Sequence, residues 1–140
     1  MASVDGLPSS HRVILDAGGI LALSRGNGDA RAALARARIE GFVVVIPTPV
    51  LAEVHRGGRD RAHIDRVVNK VDALLPTSED VARRAGELLG ASGTDDPVDA
   101  IVVAEALAAV PSVIITGDAD DIRRLLQTQS DGPRVAVVSV

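Results

Sequence analysis

The chain has 140 residues, 46% of them hydrophobic, and a formal net charge of −4. That length suits one domain with a sizeable core and is too short for two ordinary ones. There is no cysteine, Tyr or Trp and a single Phe, Phe42. Disulfides and thiolate metal sites are therefore excluded, aromatic base-stacking platforms are scarce, and no global basic field exists to attract nucleic acid.

Residues 1–10 are polar and carry Pro and Ser, and read as a loose tail on a single domain spanning 1–140. The run Val13–Asp16 reads as a buried strand, and Gly18–Ser24 as a short helix. Arg25-Gly26-Asn27-Gly28 is a turn signal. Asp29 is expected to cap a helix running to about Glu40, with Ala32, Leu34, Ala35 and Ile39 as its buried face. Phe42–Ile46 is continuous and β-branched, the mark of a strand covered on both sides. A helix follows from Pro47-Thr48-Pro49 to about Arg56, and a second from about Asp60 to Lys70. Val71–Leu75 is a weaker strand.

Ser78, followed by Glu79 and Asp80, starts a helix expected to end at Gly90. Asp96 as N-cap and Pro97 in the first turn open a long apolar helix, Val98 to about Val110, with Pro111 as its stop. Val113–Thr116 is a strand, Asp118 to about Gln127 a helix, and Val135–Val140 a final strand. Alternating strands and helices imply an α/β fold, a parallel sheet with helices on both faces. No run approaches a bilayer span, and no basic patch precedes a long apolar stretch, so a cytoplasmic protein is expected.

Four acids stand out. Asp16 ends the first strand, and Asp118 closely follows Val113–Thr116. Glu53 lies on the helix after Phe42–Ile46, and Asp99 lies one turn into the apolar helix. In an open α/β sheet, ligands bind outside the carboxyl ends of the strands, where strand order reverses. Each acid also has an ordinary reading. Asp16, Asp99 and Asp118 would serve as caps or dipole partners, and Glu53 as a surface glutamate. Joint placement on one sheet edge favours a cradle for Mg²⁺ or Mn²⁺, the usual occupants of all-oxygen sites. Like charges about 5 Å apart, at an effective dielectric near 20, cost on the order of 3 kcal/mol per pair, and a cation removes that cost. The neighbouring Asp95, Asp96, Asp120 and Asp121 read as caps and dipole partners.

The pieces Ile14-Leu15-Asp16-Ala17, Pro49-Val50-Leu51-Ala52-Glu53-Val54, Asp99-Ala100-Ile101-Val102-Val103-Ala104 and Thr116-Gly117-Asp118 resemble the PIN domain, and most closely VapC-type toxins. Their order and spacing match from about residue 12 to 138. The resemblance implies a three-layer α/β/α sandwich around a mostly parallel sheet of about five strands. It implies that Asp16, Glu53, Asp99 and Asp118 hold one or two Mg²⁺ or Mn²⁺ ions, with Asp16 and Asp99 as primary ligands and Thr116 in support. It further implies endonucleolytic hydrolysis of RNA, a small cognate antitoxin protein and a homodimer. Many relatives carry Ser, Thr or Asn just after the first acid, where this chain has Ala17-Gly18, so a polar contact there is missing or comes from backbone.

Either Glu53 or Asp118 would accept the proton. Arg56, Arg59, Arg61 and Arg66 follow Glu53 and would contact RNA phosphates, or form a solvated face with Asp60 and Asp65 as partners. His11, His55 and His63 fall on surface segments. Two other readings compete: a haloacid-dehalogenase-like phosphatase, which wants an acid where Gly18 stands and a lysine that only Lys70 could supply, and a non-catalytic PIN-like scaffold.

Overall fold

The β-branched runs make the sheet. In the computed structural model, which describes residues 11–140, β1 (Arg12–Leu15), β2 (Val43–Pro47) and β4 (Ser112–Thr116) have buried interiors. That is the condition that continuous Val/Ile runs satisfy. β3 (Ala73–Leu75) and β5 (Val135–Ser139) form the edges. The order is β3-β2-β1-β4-β5 and every neighbouring pair is parallel. The expected tail at 1–10 lies outside the described residues.

Seven helices connect the strands among the described residues: α1 (Ala17–Ser24), α2 (Gly28–Ile39), α3 (Thr48–Val54), α4 (Arg61–Lys70), α5 (Glu79–Ser92), α6 (Pro97–Leu107) and α7 (Ala119–Leu126). They fall into two packed groups, α1–α4 around α1 and α5–α7 around α6, on either side of the sheet. This is the expected α/β/α sandwich. α6 is buried along most of its length, with Ala100, Val102, Val103, Ala104 and Ala106 at 0–1% exposure. Ile14, Leu15, Ile46, Ile114 and Ile115 fill the sheet's interior. Each such side chain contributes roughly 1.5–3 kcal/mol of burial. No helix among the described residues is long and apolar enough to cross a membrane.

Several local expectations are corrected. α2 is capped by Asn27, whose side chain accepts the Ala30 N–H at 2.9 Å, and Asp29 sits in the first turn instead. Its inward face is Ala30, Ala33, Leu34 and Ala37; Ala32 and Ala35 face solvent, and Ile39 is 88% exposed. Residues two apart on a helix are about 200° around its axis, so Ala32 and Ala35 point away from the side on which Ala30, Ala33 and Ala37 pack. α5 runs past Gly90 to Ser92, because the left-handed stop is Gly93 at φ +71°. α6 ends at Leu107, short of Pro111, where the Ser112 hydroxyl donates to the Ala106 carbonyl at 2.9 Å and satisfies that helix end. Glu105 in α6 is buried and pairs with Arg12 at 3.4 Å, a contact nothing in the apolar pattern announced.

Candidate functional site

Register builds the site. β1 and β4 align Leu15 with Ile115, so the next residues, Asp16 and Thr116, emerge side by side at the carboxyl edge. The Asp16 N–H donates to the Ile115 carbonyl at 3.4 Å. Asp16 is the N-cap of α1: its Oδ1 accepts the Gly19 N–H at 2.8 Å and the Gly117 N–H at 3.4 Å. The Thr116 hydroxyl donates a short hydrogen bond to Asp16 Oδ2, and its oxygen accepts the Asp118 N–H at 2.8 Å. Thr116 is fully buried, so this hydroxyl ties the two strand ends together in a dry setting.

On the far side, Asp96 caps α6 as expected, with Oδ1 accepting the Val98 N–H at 2.9 Å and the Asp99 N–H at 3.1 Å. Asp99 points from the first turn and is 7% exposed; its Oδ2 is buried without a hydrogen-bond partner. Asp118 occupies the N-cap position of α7, yet its side chain makes no capping bond. Asp16, Glu53, Asp96, Asp99 and Asp118 line one cleft of about 300 Å³, with Ala17, Gly18 and Gly117 as its backbone floor. The four acids singled out from the sequence thus line the same cleft, and of the four Asp99 and Asp118 belong to the tightest acid cluster there. Asp16 alone among them also performs its ordinary capping task.

The electrostatics follow from the crowding. Burial pushes the Asp99 carboxyl up to about 8, reinforced by the charges of Asp96, Asp118 and Asp16. Asp16 is raised by burial, with partial relief from Thr116 and from the Gly19 and Gly117 amides. Burial, then Asp96 and Asp16, raise Glu53, while Arg56 opposes them. Burial and Asp121 raise Asp118, and a hydrogen bond with Asp99 opposes them. Carboxylates held this way bind protons or hard cations. An all-carboxylate donor set, one oxygen of which is buried without a partner, suits a divalent metal with oxygen preference.

Asp121 was read as a cap or dipole partner. Its carboxylate instead lies within 4.8 Å of ligand atoms on Asp99 and Asp118, three oxygens that could hold one ion. It also pairs with Arg124 at 3.5 Å. Its signal was spacing: Asp118 and Asp121, like Asp96 and Asp99, sit three apart at a helix start and so share a face. The four arginines do not form one patch. Arg56 acts on Glu53, Arg59 is exposed in the bend before α4, and Arg61 pairs with Asp65 at 3.6 Å. Arg66 lines a different groove. That groove, of about 490 Å³, lies among α1, α2 and α4, where Arg25, Arg31, Arg38, Arg66 and Lys70 rim a floor that includes Leu15, Leu23 and Leu34. His11, His55 and His63 are exposed.

Residues 13–125 match the PIN domain family. The chain belongs to that family. No curated protein matches it. Among solved structures, the PIN fold here is similar to a chain in the crystal structure of VapBC2 from Rickettsia felis bound to a DNA fragment from their promoter. The TM-score is 0.67 at 15% identity, covering 92% of this chain and 98% of that one. The departure at Ala17-Gly18 also has a structural counterpart. Where many PIN domains have a polar side chain beside the first acid, the Gly19 and Gly117 amides here serve Asp16.

Proposed function

We propose that this PIN domain is a metal-dependent endoribonuclease of the VapC type, the toxin of a toxin–antitoxin pair. The observation that carries the reading is the cleft in which Asp16, Glu53, Asp99 and Asp118 meet, with a buried, unpartnered Asp99 oxygen. Carboxylate crowding of this kind destabilises a protein that does not use it. Asp99, Asp118 and Asp121 offer oxygens within 4.8 Å of one another, and Asp16, from the same cleft, would complete the set around Mg²⁺ or Mn²⁺, with Glu53 also lining it. When bound, such an ion lowers the pKa of water and neutralises charge on the phosphate under attack. The chain's own part is positional. Thr116 fixes the Asp16 carboxylate, and the Asp96 cap fixes the start of α6 and hence Asp99. Glu53, half-buried, and Asp118, exposed, are both raised and are suited to accept a proton from the attacking water. Arg56, next to Glu53, offers a guanidinium to an RNA phosphate.

The phosphatase reading loses its lysine, since Lys70 rims the separate groove and not the acid cleft. We assign that groove to the cognate antitoxin. Cations on both sides of an aliphatic floor match an amphipathic segment with acidic flanks. A homodimer completes the proposed assembly.

The test is incubation of structured RNAs with Mg²⁺ or Mn²⁺, comparing wild type with Asp16→Asn and Asp99→Asn. Metal-dependent cleavage lost in both variants supports the nuclease. Retained RNA without products supports the scaffold. Hydrolysis of a phosphomonoester without RNA cleavage overturns the proposal.

A further inference from the structure

α1 begins with backbone pressed on backbone. A Cβ built on Gly18 would lie 2.5 Å from both the Cα and the N of Gly117, and a Cβ on Gly117 would lie 3.0 Å from the Gly18 Cα. Neither glycine has a positive φ. Conformational freedom is therefore not the reason for glycine at either place; the missing side chain is. The next residue repeats the pattern, since a Cβ on Gly19 would lie 2.3 Å from the Ile115 carbonyl oxygen. The first turn of α1 rides directly on the end of β4.

The two segments that touch are those carrying the acids. Gly18 is two residues after Asp16, and Gly117 immediately precedes Asp118. The same approach lets the Gly117 N–H reach Asp16 Oδ1 at 3.4 Å. We propose that the Gly18–Gly117 contact is the positioning element that sets the spacing between Asp16 and Asp118 across the cleft, and so governs affinity for the cation. This inference rests on the metal-dependent reading above.

The size of the effect follows from the distances. A methyl at position 18 must move from 2.5 Å out to 3.0–3.4 Å, which separates the two segments by roughly 0.5–0.9 Å. Backbone is the obstacle, so no side chain can swing aside. Metal–ligand distances are held to within about 0.2 Å, and loss of groups that orient ligands typically costs 10–100-fold in affinity. The displacement exceeds what the ligand set tolerates.

Three variants test this. Gly18→Ala is the perturbation, and Gly117→Ala, with its milder 3.0 Å contact, is the graded version. Gly132→Ala is the control: its Cβ would lie 2.1 Å from the Leu126 carbonyl oxygen, a comparable backbone clash outside the cleft. Circular dichroism checks folding, and calorimetric titration with Mn²⁺ gives the dissociation constant at a fixed interval below each variant's melting temperature. The expected result is at least tenfold weaker Mn²⁺ binding for Gly18→Ala, a smaller loss for Gly117→Ala, and a change of less than twofold for Gly132→Ala despite its lowered melting temperature. Should Gly18→Ala not fold, Gly117→Ala against Gly132→Ala decides. Folded Gly18→Ala or Gly117→Ala with wild-type Mn²⁺ affinity overturns the proposal, as does equal weakening in Gly132→Ala. Wild-type protein that takes up no Mn²⁺ overturns the metal reading and this inference together.

Discussion

Replacing Asp99 with Asn separates the cost of the acid cleft from its use. Asp99 titrates near 8 in the folded protein against an ordinary value of 3.8. The folded form thus keeps a proton that the unfolded chain releases, and stability without metal falls as pH rises from about 4 towards 8. A rise of about four units, at ~1.4 kcal/mol each, sets a ceiling of ~6 kcal/mol. The cleft opens to water and its carboxylates share the load, so relief from one substitution is nearer ~2–3 kcal/mol. Asn is isosteric, and its amide can donate to Asp118 as the neutral acid does. In EDTA at pH 8.5, Asp99→Asn is expected to be the more stable protein by that amount, a melting rise on the order of 10 °C for a chain of this size. At pH 4 the two should melt together. Millimolar Mn²⁺ should then raise the wild type and leave the variant unmoved. Thermal melts at the two pH values, with and without metal, measure all four quantities. An Asn variant no more stable than wild type at pH 8.5 in EDTA would refute the argument that the cleft is strained by charge.

Thr116→Val removes the hydroxyl that donates to Asp16 and accepts from Asp118; denaturant melts should show a loss of ~1–3 kcal/mol, with RNA cleavage falling further than stability alone explains. If the α1–α2–α4 groove takes the proposed antitoxin, charge reversal at Arg31 and Arg66 on its rim should weaken co-purification with that protein at least tenfold while leaving Mn²⁺-induced stabilisation unchanged. Arg12→Met removes a half-buried partner of the buried Glu105; urea unfolding should report a loss of ~1–3 kcal/mol, with metal affinity intact.

What could be read in advance divides along a physical line. The sheet was legible because Val13–Leu15, Val43–Ile46 and Val113–Ile115 are apolar without alternation, and only strands covered on both faces read that way. Asp96 and Ser78 were legible as caps because Pro97 and the acids after Ser78 are local signals, settled within one helical turn. The start of α2 was not, because Asn27, Gly28 and Asp29 all suit a helix entrance and only packing chooses among them. The buried face, Ala30, Ala33, Leu34 and Ala37, was equally hidden among the many alanines of α2, and Ile39 lies in solvent. Gly90 misled for a similar reason: a glycine within a helix and one that ends it are alike in sequence, and only Gly93 adopts the left-handed conformation. Glu105 was invisible because its partner Arg12 lies 93 residues away.

The acids gathered at the cleft are also the ones the fold can least balance by itself. α1, α6 and α7 all begin there, with Asp16, Asp96 and Asp118 at their N-cap positions. A helix start carries roughly half a positive charge, so three contribute about one and a half. Arg56 adds a guanidinium near Glu53. Against these stand six carboxylates once Asp121 is counted with the five that line the cleft. The deficit is about three and a half charges, and it adds to the burial that raises Glu53, Asp99 and Asp118, whereas Asp16 is raised by burial alone. Capping needs explain Asp16 and Asp96 but neither Asp99 nor Asp118, whose side chains cap nothing. A fold that required only helix starts would do as well with Ser or Asn at those two positions. Carboxylates at those two positions are what the proposed metal site requires and what helix capping does not.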